Sequence, residues 1–318
     1  KLLAISVSML ISYLGMRLWV FASKVQHESA HLPASAGISN GAEQEDASSP
    51  ATTRQGSPAQ LVDYAQGGSL RGRHSLSVVL PAYNEEEIIA STIVTVLDVL
   101  TSWHIETEIL VVNDGSTDRT GAIVAHLAAR HAQIRLIDHP TNQGYGAALV
   151  SGFAAATKEL TFFMDSDGQF DIRALRSFFP FIETYDAVLG YRINRQDSWM
   201  RKFNARGWMV LVRLALGVRA RDLDCAFKLF HTSFLHEHPL ETRGAMINAE
   251  LLYRLKQGHF SQREVGVPHF PRMGGRATGA HPRVIARALR DLFICTLRWR
   301  RAARAASRQA SILKSIER

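Results

Sequence analysis

Short runs of apolar residues recur through the middle of the chain: SLSVVL (75–80), EILVVN (108–113), IRLID (134–138), LTFFM (160–164) and DAVLG (186–190). Each has the length of a strand and is rich in Val, Ile and Leu. Helix-length patterns lie between several of them, over Glu86–Trp103, Ser116–His131 and Gly144–Thr157. Strands of this kind alternating with helices predict an α/β fold, a mostly parallel central sheet flanked by helices on both faces. In such sheets ligands bind outside the carboxyl ends of the strands. Beyond Tyr191 the alternation breaks. A helix over Met200–Leu216 is followed by a strand at CAFKLF, a helix near Ala245–Gln257 and a strand around Arg263–Val267.

The two ends read differently. Leu2 to Ala22 is nearly all apolar and about long enough to span a hydrocarbon core, with Arg17 placed where a long side chain can snorkel to the headgroups. A membrane anchor is the favoured reading, and a signal peptide competes with it because Ala-rich sequence follows. Residues 23–74 fill with Ser, Ala, Gly, Gln and Pro and predict a flexible linker. From Val284 onward Leu, Ile, Phe and Trp are interleaved with Arg, which predicts an amphipathic helix. Such a helix either lies in a bilayer interface or packs on the domain with a solvated outer face, and the amino-terminal run tips the balance toward membrane. The expected layout is therefore an anchor (1–22), a linker (23–74), a folded domain (75–281) and basic membrane-surface helices (282–318).

Charge narrows the partners. A formal net charge of +8 points to something anionic: nucleic acid, anionic lipid or a phosphorylated substrate. Most of the excess lies between Arg283 and Arg308, where Asp291 is the only acid. Two cysteines, Cys225 and Cys295, are too few and too far apart for a disulfide framework or a zinc site, so buried inert thiols are expected.

Four polar clusters each follow directly after a predicted strand. In Pro81-Ala82-Tyr83-Asn84-Glu85-Glu86, Pro ends the ladder, Tyr83 offers a flat face to a nucleobase, and Glu85 can accept from ribose hydroxyls or base N–H groups. A plain strand-to-helix turn accounts for the same residues. In Asn113-Asp114-Gly115-Ser116-Thr117-Asp118 one acid serves the helix cap, and Asp114, nearer the strand end, is the better acceptor for a nucleobase. Gly144 and Gly146, opening the next helix, permit close approach of a phosphate or sugar, or else close packing. Asp165-Ser166-Asp167-Gly168-Gln169 sets two acids together after an apolar strand, an arrangement that a cation or solvent compensates, a plain acidic turn being the other reading. Asp165, Asp167 and the oxygen of Gln169 suit Mg²⁺ or Mn²⁺ bridging to substrate phosphates.

The ordered set PAYNEE, VVNDGSTD, NQGYGAAL and MDSDGQ, continued through Gly190-Tyr191-Arg192, DLDCAFKLF and EVGVPHFPRMGG, resembles the family 2 glycosyltransferases of the GT-A, Rossmann-like fold. Within them it is similar to the polyprenyl-phosphate sugar transferases of the dolichyl-phosphate mannose synthase type. The resemblance covers about Leu76 to Gly279. It implies an inverting, metal-dependent hexosyltransferase whose partners are a nucleotide-sugar donor, a polyprenyl phosphate acceptor and membrane lipid, not nucleic acid. It implies donor binding at Pro81, Tyr83, Glu85, Asp114 and Gly146, and a metal on Asp165, Asp167 and Gln169. Nucleotide-sugars are cytosolic, so the domain is expected on the cytoplasmic side of a membrane. Where the family often has Ser-Gly this chain has Cys225-Ala226, and Lys228 stands where the family has Arg, losing the bidentate fork. The Gln-x-x-Arg-Trp signature of polymerising synthases is absent, Arg298-Trp299 lacking the Gln.

A polyprenyl phosphate is already anionic at neutral pH, so it needs cations more than a base. Arg192, Arg201, Lys202, Lys228 and Arg272 are the cations expected at the acceptor phosphate, although ordinary solvated surface charge explains each of them equally well. Asp222 and Asp224 are the acids placed to serve as a base, and Glu250 to orient the acceptor side. A hydroxyl acceptor on the same fold would make such a base essential. A basic, membrane-tethered binder of anions is the remaining reading, and the pair Asp165/Asp167 opposes it, because a phosphate-binding scaffold gains nothing from clustered carboxylates without a metal.

Overall fold

The computed structural model describes residues 72, 74–193, 199–271 and 286–302, the side chains of 199–204 excepted. The expected anchor over Leu2–Ala22, nearly all of the expected linker, Arg272 and the last sixteen residues lie outside the described residues. Among those described, no helix is long and apolar enough to cross a membrane.

Strand β1 (Ser75–Ala82) leads through α1 (Ile89–Ser102) to β2 (Glu106–Asn113), and α2 (Thr120–Ala128) leads on to β3 (Ile134–Asp138). Helix α3 (Tyr145–Ala155) then precedes β4 (Leu160–Met164). A 3₁₀ turn (Ile172–Ser177) and the short α4 (Phe179–Ile182) lead to β5 (Ala187–Ile193) and α5 (Trp199–Leu216). The chain continues through β6 (Phe227–His231), α6 (Thr232–Glu237), α7 (Ile247–Gln257) and β7 (Gln262–Pro268). Residues 286–302 are helical and form α8.

The seven strands form one sheet in the order β3-β2-β1-β4-β6-β5-β7. β6 runs antiparallel to both β4 and β5, and the other pairs are parallel. The expected mostly parallel sheet is present, with one reversed strand that apolar patterning does not reveal. That reversal matters for the site. Met164, the last residue of β4, pairs with Phe227, the first of β6, so the segment before β6 lies at the same edge as the segment after β4.

The central strands are buried because both faces are covered. Leu76, Val78, Val79 and Leu80 of β1, Ile109 to Val112 of β2 and Phe162 and Phe163 of β4 have no solvent exposure. Phe162, Phe170 and Phe178 all pack against Phe227, with ring centroids 4.6 to 5.5 Å apart. Below the sheet's working edge, buried Glu108 accepts from Ser77, from Thr157 and from Arg135, clasping β1, β2 and β3 to the chain after α3.

The helices begin later than their patterns suggest: α1 at Ile89 rather than Glu86, α2 at Thr120 rather than Ser116. The residues in between are spent on loop contacts, side chains taking the backbone N–H groups that a helix would have used. At the other end of the chain, α8 buries Leu292, Cys295, Thr296 and Trp299 on one face. Trp299 stacks on Tyr253 of α7, Arg298 pairs with Glu241, and Arg300 donates to the Ala215 carbonyl of α5. The opposite face leaves Phe293, Ile294 and Leu297 about half exposed. The helix thus packs on the domain and still presents an apolar face.

Candidate active site

All four clusters converge at the carboxyl ends of β1, β2 and β4. The loops after β1 and β2 are stitched together by side chains. Asn84 takes a positive φ of 55°, which lets its backbone N–H reach Ser116 Oγ while its own Oδ1 accepts from the Thr117 backbone. Glu85 N–H donates to Thr120 Oγ1 and Glu86 N–H to Asp118 Oδ2. Asp118 also accepts from the Thr120 backbone, so it is the capping acid of its pair. Pro81 is buried in this junction, whereas the Tyr83 ring is 37% exposed at its rim and open to stacking.

Asp114 is only 3% exposed and serves two loops. Its Oδ1 accepts from the Gln143 N–H (2.9 Å) and faces His139 Nδ1 (2.8 Å); its Oδ2 accepts from the Gly144 N–H (2.8 Å). A carboxylate offers about four lone-pair sites, so one on Oδ2 is left for a ligand N–H. His139 Nε2 meets Ser151 Oγ at 2.9 Å. With the serine hydroxyl donating to Nε2, the ring carries its proton on Nδ1 and gives it to Asp114. His139 follows β3 just as the four clusters follow their strands, and that rule would have found it.

The glycines that open α3 are explained by packing. A Cβ on Gly146 would meet the Arg243, Gly244 and Thr242 backbone at 2.7 to 2.8 Å, and Ala147 N–H donates to the Arg243 carbonyl. Of the two readings left open for Gly146, close packing is the one realised: the backbone it admits is the 242–244 loop. Gly144, at φ 103°, turns its N–H onto Asp114.

The acid pair sits beside this pocket. Ser166 Oγ donates to the Pro81 carbonyl (2.7 Å) and Thr92 Oγ1 to the Ser166 carbonyl (3.1 Å), fixing the loop after β4 against the loop after β1. Asp165 is partly exposed and Asp167 is buried, its Oδ1 accepting from the Gln169 N–H. Gln169 Nε2 donates to the Phe270 carbonyl, and Phe270 N–H donates back to Gln169 O, which sets Oε1 as the amide's outward acceptor. No group of three or more His, Cys, Asp or Glu suited to a metal gathers among the described residues. Two carboxylates and an amide oxygen instead fit a hard divalent cation that keeps positions for water and phosphate oxygens.

Tyr145 is the first residue of α3. Its hydroxyl is buried beside Asp165. Burial, then the charge of Asp165, holds that hydroxyl protonated well above the usual tyrosine range.

On the acceptor side three expectations change. Arg192 and Asp222, expected to act separately on phosphate and proton, are bound to each other: Nε to Oδ2 at 2.6 Å and Nη2 to Oδ1 at 2.8 Å, with Arg192 N–H adding a third bond. Burial opposes the guanidinium's charge, but Asp222 outweighs it and raises the pKa. Lys228, expected at the acceptor phosphate, is 1% exposed, and its three N–H groups go to the carbonyls of Leu223 and Cys225 and to Asn248 Oδ1 (2.8 Å). An ammonium has three donors, so none remains for a substrate. Burial accordingly lowers its pKa. Glu250, fully buried, accepts from the Glu241 and Thr242 N–H groups and from Arg254, holding the 241–244 loop rather than an acceptor.

Asp224 lies exposed before β6. Cys225 is buried, its thiol pushed up to about 12 by that burial, as expected of an inert thiol. Arg201 and Lys202 lie on α5 with their side chains outside the described residues, and Arg272 lies outside altogether.

Known proteins share both the sequence pattern and the fold. Residues 77–244 match the model of glycosyl transferase family 2. A dolichyl-phosphate beta-glucosyltransferase of Trichomonas vaginalis is 34% identical over 169 residues, 48% of this chain and 50% of that one. A dolichyl-phosphate hexose transferase of Haloferax volcanii is 30% identical over 203 residues, 63% of this chain and 84% of that one. The chain thus spans about half the length of the Trichomonas relative and most of the archaeal one. Among solved structures, glucosyl-3-phosphoglycerate synthase of Mycobacterium tuberculosis superposes with a TM-score of 0.55 at 20% identity, covering 69% of this chain and 79% of that one. Mannosyl-3-phosphoglycerate synthase of Rubrobacter xylanophilus gives 0.54 at 18%, covering 73% and 76%. These likenesses carry the GT-A fold, and the family match covers more than half of the chain, with every one of the four clusters inside it: the chain belongs to glycosyl transferase family 2.

Proposed function

We propose that the protein transfers a hexosyl group, with inversion, from a nucleoside-diphosphate sugar to a polyprenyl phosphate at a membrane surface. The observation that carries this reading is the junction of the acid pair with the nucleotide pocket, Ser166 bonded to Pro81 between them. The relatives add support, being named for transfer to dolichyl phosphate. A glucosyl-3-phosphoglycerate synthase of the same fold was crystallised with Mn²⁺ and UDP-glucose, which supports the donor class and the cation.

In this reading Tyr83 stacks on the base, and the free lone pair of Asp114 accepts its N–H. Asp165, Asp167 and Gln169 Oε1 are the residues that would hold a divalent cation, which when bound would supply Lewis-acid neutralisation of the leaving diphosphate's charge. An oxygen of the lipid phosphate attacks the anomeric carbon from the opposite side as the bond to the diphosphate breaks. The attacking oxygen arrives deprotonated, so no base is required. The Arg192 N–H groups left over from Asp222 face the acceptor, with Arg201, Lys202 and Arg272 as further cations.

The test is steady-state kinetics with a short polyprenyl phosphate and, in parallel, its free alcohol. The phosphate is expected to be glycosylated and the alcohol not. Comparable rates with both would establish a hydroxyl acceptor on the same fold.

Membrane association, with the domain on the cytoplasmic side where donors are made, is part of the same proposal. Phe293, Ile294 and Leu297 of α8 and Val210, Leu211 and Leu214 of α5 are exposed, on helices joined by the Arg300–Ala215 bond. Exposed arginines flank both faces: Arg206 and Arg213 on α5, Arg287, Arg290 and Arg301 on α8. Exposed apolar residues edged with cations suit an anionic bilayer interface. Replacing Phe293, Ile294 and Leu297 by Ser, in a chain starting at Ser57 where the compact unit begins, is expected to weaken binding to phosphatidylserine-containing vesicles. Flotation with equal recovery of parent and variant would exclude this face.

A further inference from the structure

Residues 241–244 touch the turn that fixes Asp114 on one side and α8 on the other. Ala147 N–H donates to the Arg243 carbonyl, and Arg243 Nη1 donates to Gln143 Oε1 (3.0 Å). The Gln143 and Gly144 N–H groups in turn hold the two oxygens of Asp114. The 242–244 backbone therefore backs the turn that sets this carboxylate. Glu250 of α7 takes the Glu241 and Thr242 N–H groups (2.8 to 3.1 Å) and so anchors the loop from within the domain. From outside, α8 reaches the same loop at two points about two turns apart. Arg298 pairs with Glu241, and a Cβ on Gly244 would stand 3.9 Å from Asp291 Oδ2. Arg254 joins the two supports, meeting Glu241 and Glu250 at 3.1 Å each.

We propose that α8 positions the donor site: Arg298, through Glu241, holds the 241–244 loop against the 143–147 turn and so keeps the Asp114 carboxylate aimed at the base. This rests on the donor-site reading above. Arg298 and Glu241 are positioning residues, acting on the nucleotide only through Asp114. The dependence falls on the nucleoside more than on the diphosphate. The loop that carries the acid pair is fixed separately, by Ser166 on the Pro81 carbonyl and by Thr92 on the Ser166 carbonyl.

Arg298→Glu sets an acid against Glu241 where both side chains are about half exposed, so the fold is expected to survive and the loop to shift. Titration calorimetry on the full chain with Mn²⁺ compares the tighter of UDP and GDP with inorganic pyrophosphate. Nucleotide affinity is expected to fall about fivefold or more, the low end of ordinary coupling between sites, and pyrophosphate affinity to change less than about twofold. Adding Glu241→Gln removes the repulsion and keeps the backbone bonds to Glu250, so the double variant is expected to bind nucleotide within about twofold of the parent. A merely structural role would lower melting, weaken both ligands alike and persist in the double variant. Unchanged nucleotide affinity in Arg298→Glu, an equal loss for pyrophosphate, or no recovery in the double variant would each overturn the proposal and leave the donor site standing. Absence of nucleotide binding by the parent protein overturns the donor site and this inference together.

Discussion

Asp167→Asn is expected to lower turnover about 10³-fold and to leave melting nearly unchanged. A metal acting as a Lewis acid contributes several kcal/mol to the transition state, and each 1.36 kcal/mol is a factor of ten. Asparagine keeps the volume and the Oδ1 that accepts from the Gln169 N–H, so the loop after β4 retains its shape. What it loses is the charge that binds a cation. Asp165→Asn should behave likewise. The check is turnover against Mn²⁺ concentration, with melting curves alongside. Full activity of the parent protein in EDTA would remove the cation from the mechanism.

Strand-following clusters were readable in the linear chain because the physics is local. A buried parallel strand is apolar throughout, its carboxyl end is where polarity returns, and the polar residues there face a common edge. PAYNEE, NDGSTD and DSDGQ are all of this kind, and all three meet in space. What failed was everything that depends on a return of the chain. Lys228 and Asp222 look like substrate-facing charges until β6 is seen to run antiparallel, which folds the 222–225 segment back beside β4 and β5. That placement buries Lys228 among carbonyl oxygens and sets Asp222 on Arg192. Gly146 carries no sign in its own neighbourhood that residues 242–244 will press on it. Glu250 is hidden in the same way: an acid in the first turn of a helix is ordinarily a solvated end, and here it is the buried anchor of that loop. Helix starts were misplaced for a related reason, since Asn84, Glu86, Ser116 and Asp118 exchange bonds across two loops more than thirty residues apart in part of the network.

The pair Arg192–Asp222 yields the second large effect. Both side chains are about 10% exposed, and removing one partner of a buried pair leaves the other charge uncompensated, typically at about 3 kcal/mol or more. In a domain of this size that lowers the melting temperature by about 6–12 °C. Arg192→Met and Asp222→Asn are each expected to show it, and the double variant is expected to melt above the sum of the two losses, because neither charge is then left alone. Activity should follow the same logic. Losing Asp222 releases the guanidinium from its two-point hold, so Asp222→Asn should raise the KM for polyprenyl phosphate much as Arg192→Met does, with donor binding unchanged. A general base behaves otherwise: its removal costs about 10²–10⁴ in kcat and leaves melting alone. Melting and kinetics on the three variants separate these cases. If Asp222→Asn melts like the parent and loses kcat at unchanged KM, Asp222 is a base, and the acceptor it serves is a hydroxyl rather than a phosphate.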